Sequence, residues 1–172
     1  MSDSYGYAAV PTDRFGRPLA AWWRRLVAII LDILILSVPK SILSALFVTV
    51  GTSFGGLFSS GWSGGLVVIG ILFAGIDLAY FAFLTGSEHG QTLGQMALSI
   101  AVRDRSSGGA IGPGRGGVRI LVLYPGILLG WLPTIGYLLA IYTLVAALSP
   151  LWDRQRQGFH DKVARTDVIS VR

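Results

Sequence analysis

The chain has 172 residues, of which 52% are hydrophobic and 13% charged, against roughly 25% charged in a soluble domain. That balance and a mean hydropathy of +0.63 predict an integral membrane protein of one compact bundle. The absence of cysteine excludes disulfides, thiolate metal sites and cysteine nucleophiles, and two histidines leave little for zinc or haem. The net charge of +5 comes from three blocks, Arg14 to Arg25, Arg103 to Arg119 and Arg154 to Arg172, with only Lys40 elsewhere. Such clustering is the cytoplasmic bias of membrane proteins, not a nucleic-acid surface.

In chain order, residues 1–21 are polar, lack a helical period and predict a flexible cytoplasmic tail ahead of one transmembrane domain, 22–172. No short apolar core precedes a cleavage site, so the first apolar run reads as an uncleaved span at about 26–50. Pro39 predicts a kink, and Lys40 an anchor that snorkels outward. The uncharged stretch 51–64 suits an outer loop, and a second span follows at about 65–84.

Residues 85–118 form one long inner loop. Leu93, Met96, Ala97 and Ile100 fall at i, i+3, i+4, i+7, which predicts a short amphipathic helix in the interface. Residues 100–104 alternate as a strand, and the glycines at 108, 109 and 112–117 predict a turn and linker. That glycine run lacks the Gly-Lys-Ser/Thr ending of a phosphate-binding loop. Residues 118–151 are long for one span and short for two. They read as two short helices, about 118–130 and 134–149, turning at Trp131-Leu132-Pro133, with a re-entrant hairpin as the alternative. Gly126 and Gly130 have small-xxx-small spacing, and Trp22, Trp23, Trp131 and Trp152 mark interface levels. Residues 167–172 alternate again and can pair with 100–104. The expected fold is thus an all-α membrane bundle of about four transmembrane helices, the last two short, with a cytoplasmic strand pair and an interfacial helix.

Three ionisable residues stand inside the apolar runs: Asp32, Lys40 and Asp77. A charge at the centre of a span costs roughly 2.5–3.5 kcal/mol on insertion scales, so each needs a partner, a proton or a role. Arg25 and Asp32 are seven residues apart, on one helix face and roughly 10 Å along the axis. Asp32 and Asp77 lie at similar depth, which makes their meeting possible. Asp32 reads either as a proton- or cation-carrying carboxylate or as a structural ion pair with Arg25 or Arg119. His160-Asp161 tempts toward acid–base catalysis, but no nucleophile, metal or cofactor constellation accompanies it, so no enzyme is expected. Asp161 reads instead as a cap or salt bridge beneath the bundle, Arg25 being a candidate partner. Glu88-His89 reads as solvated polar sequence.

Three motifs in order resemble the RDD family of bacterial membrane proteins: Arg25-Leu26-x-Ala28-x-x-x-Asp32, Gly90-Gln91-Thr92-Leu93-Gly94, and Arg156-x-Gly158-x-His160-Asp161-x-x-Ala164-x-Thr166-x-Val168. The resemblance covers about residues 19–171. It implies that Arg25, Asp32 and Asp161 are the arginine and two aspartates of the family's name. Gln95 departs from the lysine often found there, as do Ser99 and Ala101 from the usual glycine and basic residue. The resemblance implies a multi-pass protein of the bacterial plasma membrane, and cation/proton antiport has been suggested for some members. The leading expectation is monovalent cation or proton transport through Asp32, in a homo-oligomer that encloses the pathway. The alternative is a non-transporting accessory or assembly subunit of a membrane complex. Asp77, Arg119, His160 and Lys40 are secondary candidates. Both termini are expected in the cytoplasm, and no cofactor or metal is expected.

Overall fold

The structure is a computed structural model that describes residues 10–53, 64–129, 133–153 and 155–171. Most of the expected outer loop, the Trp131-Leu132 turn, Gly130, Arg154 and Arg172 lie outside the described residues.

Helix α1, Trp22–Ser53, has 32 residues and runs on through Pro39; at 1.5 Å per residue it is about 48 Å long. Helix α2 spans Gly64–Gly86. Both are long and apolar enough to cross a bilayer, and little of either is covered by the rest of the protein. Ile30, Ile33, Leu34 and Ile42 on α1, and Ile71 and Phe83 on α2, are exposed. Helices buried in a soluble core would be covered, so these faces suit lipid.

The other helices are shorter. Helix α3 is Leu93–Ala97, α4 is Gly112–Leu123, α5 is Gly126–Leu129, α6 is Pro133–Leu148, and α7 is Phe159–Ala164. At 16 residues, α6 reaches about 24 Å, short of the roughly 30 Å hydrocarbon core. The expected helix at 118–130 is two helices, because Pro125 lacks an N–H and holds Tyr124 at φ −133°, ψ 72°, outside the helical region.

The glycine run expected as a linker is instead the first half of α4. Gly108 and Gly112 make the turns at positive φ, and Pro113 then starts the helix, a position where its missing N–H is no loss. Gly116 on α4 and Gly86 on α2 let the two helices approach. A Cβ at Gly116 would lie 2.6 Å from the carbonyl oxygen of Ala82, and one at Gly86 would lie 2.5 Å from the backbone of Gly112 and Pro113.

Strands β1, Ile100–Asp104, and β2, Thr166–Ser170, pair antiparallel with Ile100 opposite Ser170 and Asp104 opposite Thr166. The expected pairing is present, one residue earlier at the second strand. Ile100 belongs to β1 and is fully buried; it does not continue the apolar face of α3, because Ser99 takes a positive φ and ends that helix. Leu93 and Met96 do face outward. The stretch expected as a flexible tail is folded from residue 10 onward. Ala20 N–H donates to Val168 at 2.9 Å and Ser170 N–H to Pro18 at 2.8 Å, so residues 18–20 line the free edge of β2 and cover it. Ala20, Ala28, Ile100, Val102, Ile111 and Val168 form the core that joins this sheet to α1.

Candidate functional site

The base of α1 is tied to α4 and α7 by a single carboxylate. Asp161, in the first turn of α7, is fully buried. It accepts from Arg25 Nη1 of α1 at 2.7 Å and from Arg119 of α4 through Nε at 2.9 Å and Nη2 at 2.8 Å. It also caps its own helix by accepting from Gly158 N–H at 3.0 Å. Burial works against the charged form, but the guanidiniums of Arg119 and Arg25 and the Gly158 N–H outweigh it. The carboxyl is therefore held well below the usual carboxylate range. Thus Arg25 pairs with Asp161, not with Asp32, although Arg25 and Asp32 share a helix face.

Asp32 sits in a second buried site, 1% exposed. It accepts from Tyr80 Oη at 2.6 Å, Thr92 Oγ1 at 2.6 Å and Gly94 N–H at 2.8 Å. The direction of these bonds matters. Tyr80 Oη already accepts from Leu93 N–H and Thr92 Oγ1 from Gln95 N–H, so both hydroxyls turn their protons toward Asp32. All three of these groups donate to the carboxylate, an arrangement that suits an anion. Asp32 therefore joins α1, α2 and the start of α3. Gly94 permits it: a Cβ there would lie 2.2 Å from the carbonyl oxygen of Ala28 and 3.0 Å from Asp32 Cγ.

Gln95 has a local duty as well. Its side chain accepts from Thr92 N–H while Thr92 Oγ1 accepts from Gln95 N–H, a capping box at the N-terminus of α3. The Thr-x-x-Gln spacing is a visible signal for this cap. Gly90, at φ +60°, makes the preceding turn, where a Cβ would lie 2.3 Å from the carbonyl oxygen of Val102.

Higher along α1, Lys40 Nζ lies 2.7 and 2.9 Å from the two oxygens of Asp77 on α2. Lys40 is thus an ion-pair partner and not a snorkelling anchor, and Asp77 meets Lys40 rather than Asp32. Both residues line a cavity of about 320 Å³ among α1, α2, α4 and α6, otherwise walled largely by Ile, Leu, Phe and Ala with Tyr124 and Thr143.

His160 is 4% exposed, with Nε2 3.4 Å from Asp161 Oδ1. Burial pushes it down to about 4, with Arg119 and Arg25 reinforcing that against the pull of Asp161, so the ring is neutral near pH 7. It packs where a side chain at residue 158 would stand, since a Cβ on Gly158 would lie 2.4 Å from its Cε1. A cavity of about 40 Å³, room for a few waters, is lined by Arg25, Asp32, Gln95, Arg119 and His160 among others. Arg25 Nε and His160 Nδ1 are buried without a hydrogen-bond partner among the described residues. Two buried guanidiniums and two buried carboxylates balance across the two sites. Among the described residues, no three His, Cys, Asp or Glu side chains gather as a metal site.

Most elements of the three sequence motifs now have a place. Gly90, Thr92 and Gly94 build the Asp32 site, Gly158, His160 and Asp161 the lower one, and Thr166 Oγ1 lies 3.3 Å from Asp161 Oδ1. Comparison with curated proteins and with solved structures found no match. The sequence pattern of the RDD family is matched over residues 19–165, most of the chain, and with two apolar helices that points to a membrane location: this protein belongs to the RDD family.

Proposed function

We propose that the protein carries a monovalent cation or a proton across the membrane, and that Asp77 rather than Asp32 is the carboxylate that exchanges it. The observation that carries this reading is the Lys40–Asp77 pair on the wall of the 320 Å³ cavity. Asp32 is held by three donors, whereas Asp77 is held among the described residues by one ammonium on a flexible stem. In a low-dielectric cavity two cations on one carboxylate repel strongly. A cation that settles on Asp77 therefore displaces the Lys40 ammonium, and the exchange proposed is one cation in for one proton out.

The basic residues Arg24, Arg25, Arg105, Arg115 and Arg119 gather toward the sheet end of the bundle, which supports placing that end and both termini in the cytoplasm. The test is proton flux in sealed proteoliposomes carrying a pH gradient, with Na⁺, K⁺ or Li⁺ added in turn. Wild type should collapse the gradient on cation addition, and Asp77→Asn should not. Equal flux from both would remove Asp77 from the pathway.

A second reading, an assembly subunit, draws on an open cleft of about 760 Å³ between α1 and α2, lined by Ser37, Lys40, Ser41, Ser44 and Ala45 of α1 and Phe73 of α2. Small residues at helical spacing are what another membrane helix packs against. This reading predicts no flux from folded protein and a partner, or a second copy, retained in mild detergent.

A further inference from the structure

A second feature lies at the sheet end, outside all of these sites. An open groove of about 810 Å³ is lined by Arg14, Arg105, Arg115 and Arg165, with a single carboxylate, Asp104, among them. That carboxylate is already engaged. It pairs with Arg115, whose other nitrogens donate to the carbonyls of Ala164 and Arg165, and it accepts from Ser106 and Ser107. The hydrogen bond from Ser106 and the Arg115 guanidinium hold its carboxyl well below the usual range, so it remains charged and balances Arg115 alone.

Three guanidiniums are left without a counter-ion among the described residues. Arg14 donates to the carbonyl of Ser106 and stacks over Phe15, and Arg105 donates to the side chains of Gln155 and Gln157. The side chain of Arg165 makes no hydrogen bond or ion pair among the described residues. Opposite these charges the groove wall is apolar. Val118 lies one turn beyond Arg115 on α4, and Val163 is on α7; they are 45% and 59% exposed. Further along, α4 continues to Ile120 and Leu123, which pack into the apolar bundle, so the groove lies where α4 enters it.

We propose that this groove binds the headgroup phosphate of an anionic phospholipid, with the first methylenes of its acyl chains against Val118 and Val163. A guanidinium fork matches a phosphate in shape and charge, and basic residues at the membrane surface are drawn to anionic lipid. Free phosphate would satisfy the arginines but leave the valines facing water. A lipid satisfies both walls.

The test uses the full chain purified in mixed micelles of equal phosphatidylglycerol and phosphatidylcholine, with retained lipid counted by mass spectrometry. Wild type should retain phosphatidylglycerol about tenfold over phosphatidylcholine, since charge-assisted bonds of this kind discriminate by at least that factor. Arg14→Gln combined with Arg165→Asn should bring the ratio near one. Asparagine tolerates the positive φ of residue 165, 51°, so the turn is kept. Val163→Glu, an exposed change that sets a negative charge at the apolar lip, should do the same without touching an arginine. An unchanged ratio in both variants overturns the proposal. Displacement of phosphatidylglycerol by millimolar inorganic phosphate would also overturn it, marking a site for small anions.

Discussion

Asp32→Asn separates a fixed anion from a proton carrier. Asparagine copies the shape of a protonated aspartate but presents an NH₂ where the carboxylate presents an acceptor. If its oxygen takes the place facing Tyr80 and Gly94, the NH₂ meets Thr92 Oγ1, which donates inward and can accept from the NH₂ only by turning its own proton away from the site. Two bonds to Asp32 then pass from charge-assisted to neutral, losing about 1 kcal/mol each, and one donor is left unpaired at about 1–3 kcal/mol. The sum, about 3–5 kcal/mol, corresponds to a fall in melting temperature on the order of 10 °C for a chain of this size. The assay is thermal unfolding in detergent, with Tyr80→Phe alone and in combination. Tyr80→Phe should cost about 1–3 kcal/mol alone and less once Asp32 is already asparagine. If Asp32→Asn melts within a degree or two of wild type, the carboxyl is already neutral and the bond directions are wrong. Lost flux at unchanged stability would return the carrier role to Asp32.

Removing the other carboxylate should cost about as much, for a different reason. Asp161→Asn leaves Arg25 and Arg119 buried without an anion and should cost about 3–5 kcal/mol, measured by melting temperature and yield of folded protein. Gly94→Ala puts a Cβ 2.2 Å from the carbonyl oxygen of Ala28; α3 must lift from α1, and an overpacking cost of about 1–3 kcal/mol should appear with faster proteolysis after residue 90. Acidification should weaken the α7 contact before it touches Asp161. His160 titrates near 4 in the fold against 6.5 in water, so the stability tied to its neutral form is intact above pH 6.5 and is lost as pH falls from 6.5 toward 4. At about 1.4 kcal/mol per pKa unit the loss approaches roughly 3 kcal/mol. His160→Gln should flatten melting temperature over that window, and an unchanged slope would clear His160 of the effect.

What could be read from sequence follows from which groups do the binding. Unbroken apolar runs announce α1 and α2, and period-2 alternation announces the pairing of β1 with β2, because both patterns are carried by side chains. The Asp32 site was hidden for the opposite reason. One of its donors is the backbone N–H of Gly94, and another, Thr92, is fixed by a cap whose Thr-x-x-Gln spacing competes with an apolar face through Leu93, Met96 and Ile100. Glycine misled at 112–117, where it reads as a turn and linker, while the structure uses Gly116 for closeness to α2. Leu19 and Ala20 are too few to show a strand period, so their place beside β2 has no signal in the tail.

The partners of the polar residues on α1 follow from helix geometry once both helices are in register. Arg25 and Asp32, seven residues apart, point the same way but stand roughly 10 Å apart along the axis, so each meets a different layer. Asp32 is level with Tyr80 on α2, and Asp77 is three residues, about 4.5 Å, further from that level. Lys40 is eight residues beyond Asp32, about 12 Å along the axis and roughly 80° round from the Arg25–Asp32 row. Its four-carbon stem reaches back over the remaining distance to Asp77. Depth alone matched Asp32 with Asp77; azimuth and stem length match Asp77 with Lys40. The two lower sites therefore close on groups that cannot move without opening a helix contact, and the upper pair closes on a side chain that can swing. On the proposed function, that difference in what must move favours Asp77 as the exchanging group, and a spin or fluorine probe at Lys40 should gain mobility on cation addition while one at Arg25 stays fixed. Equal response at both would mean that the sites open together and that exchange is a property of the whole bundle.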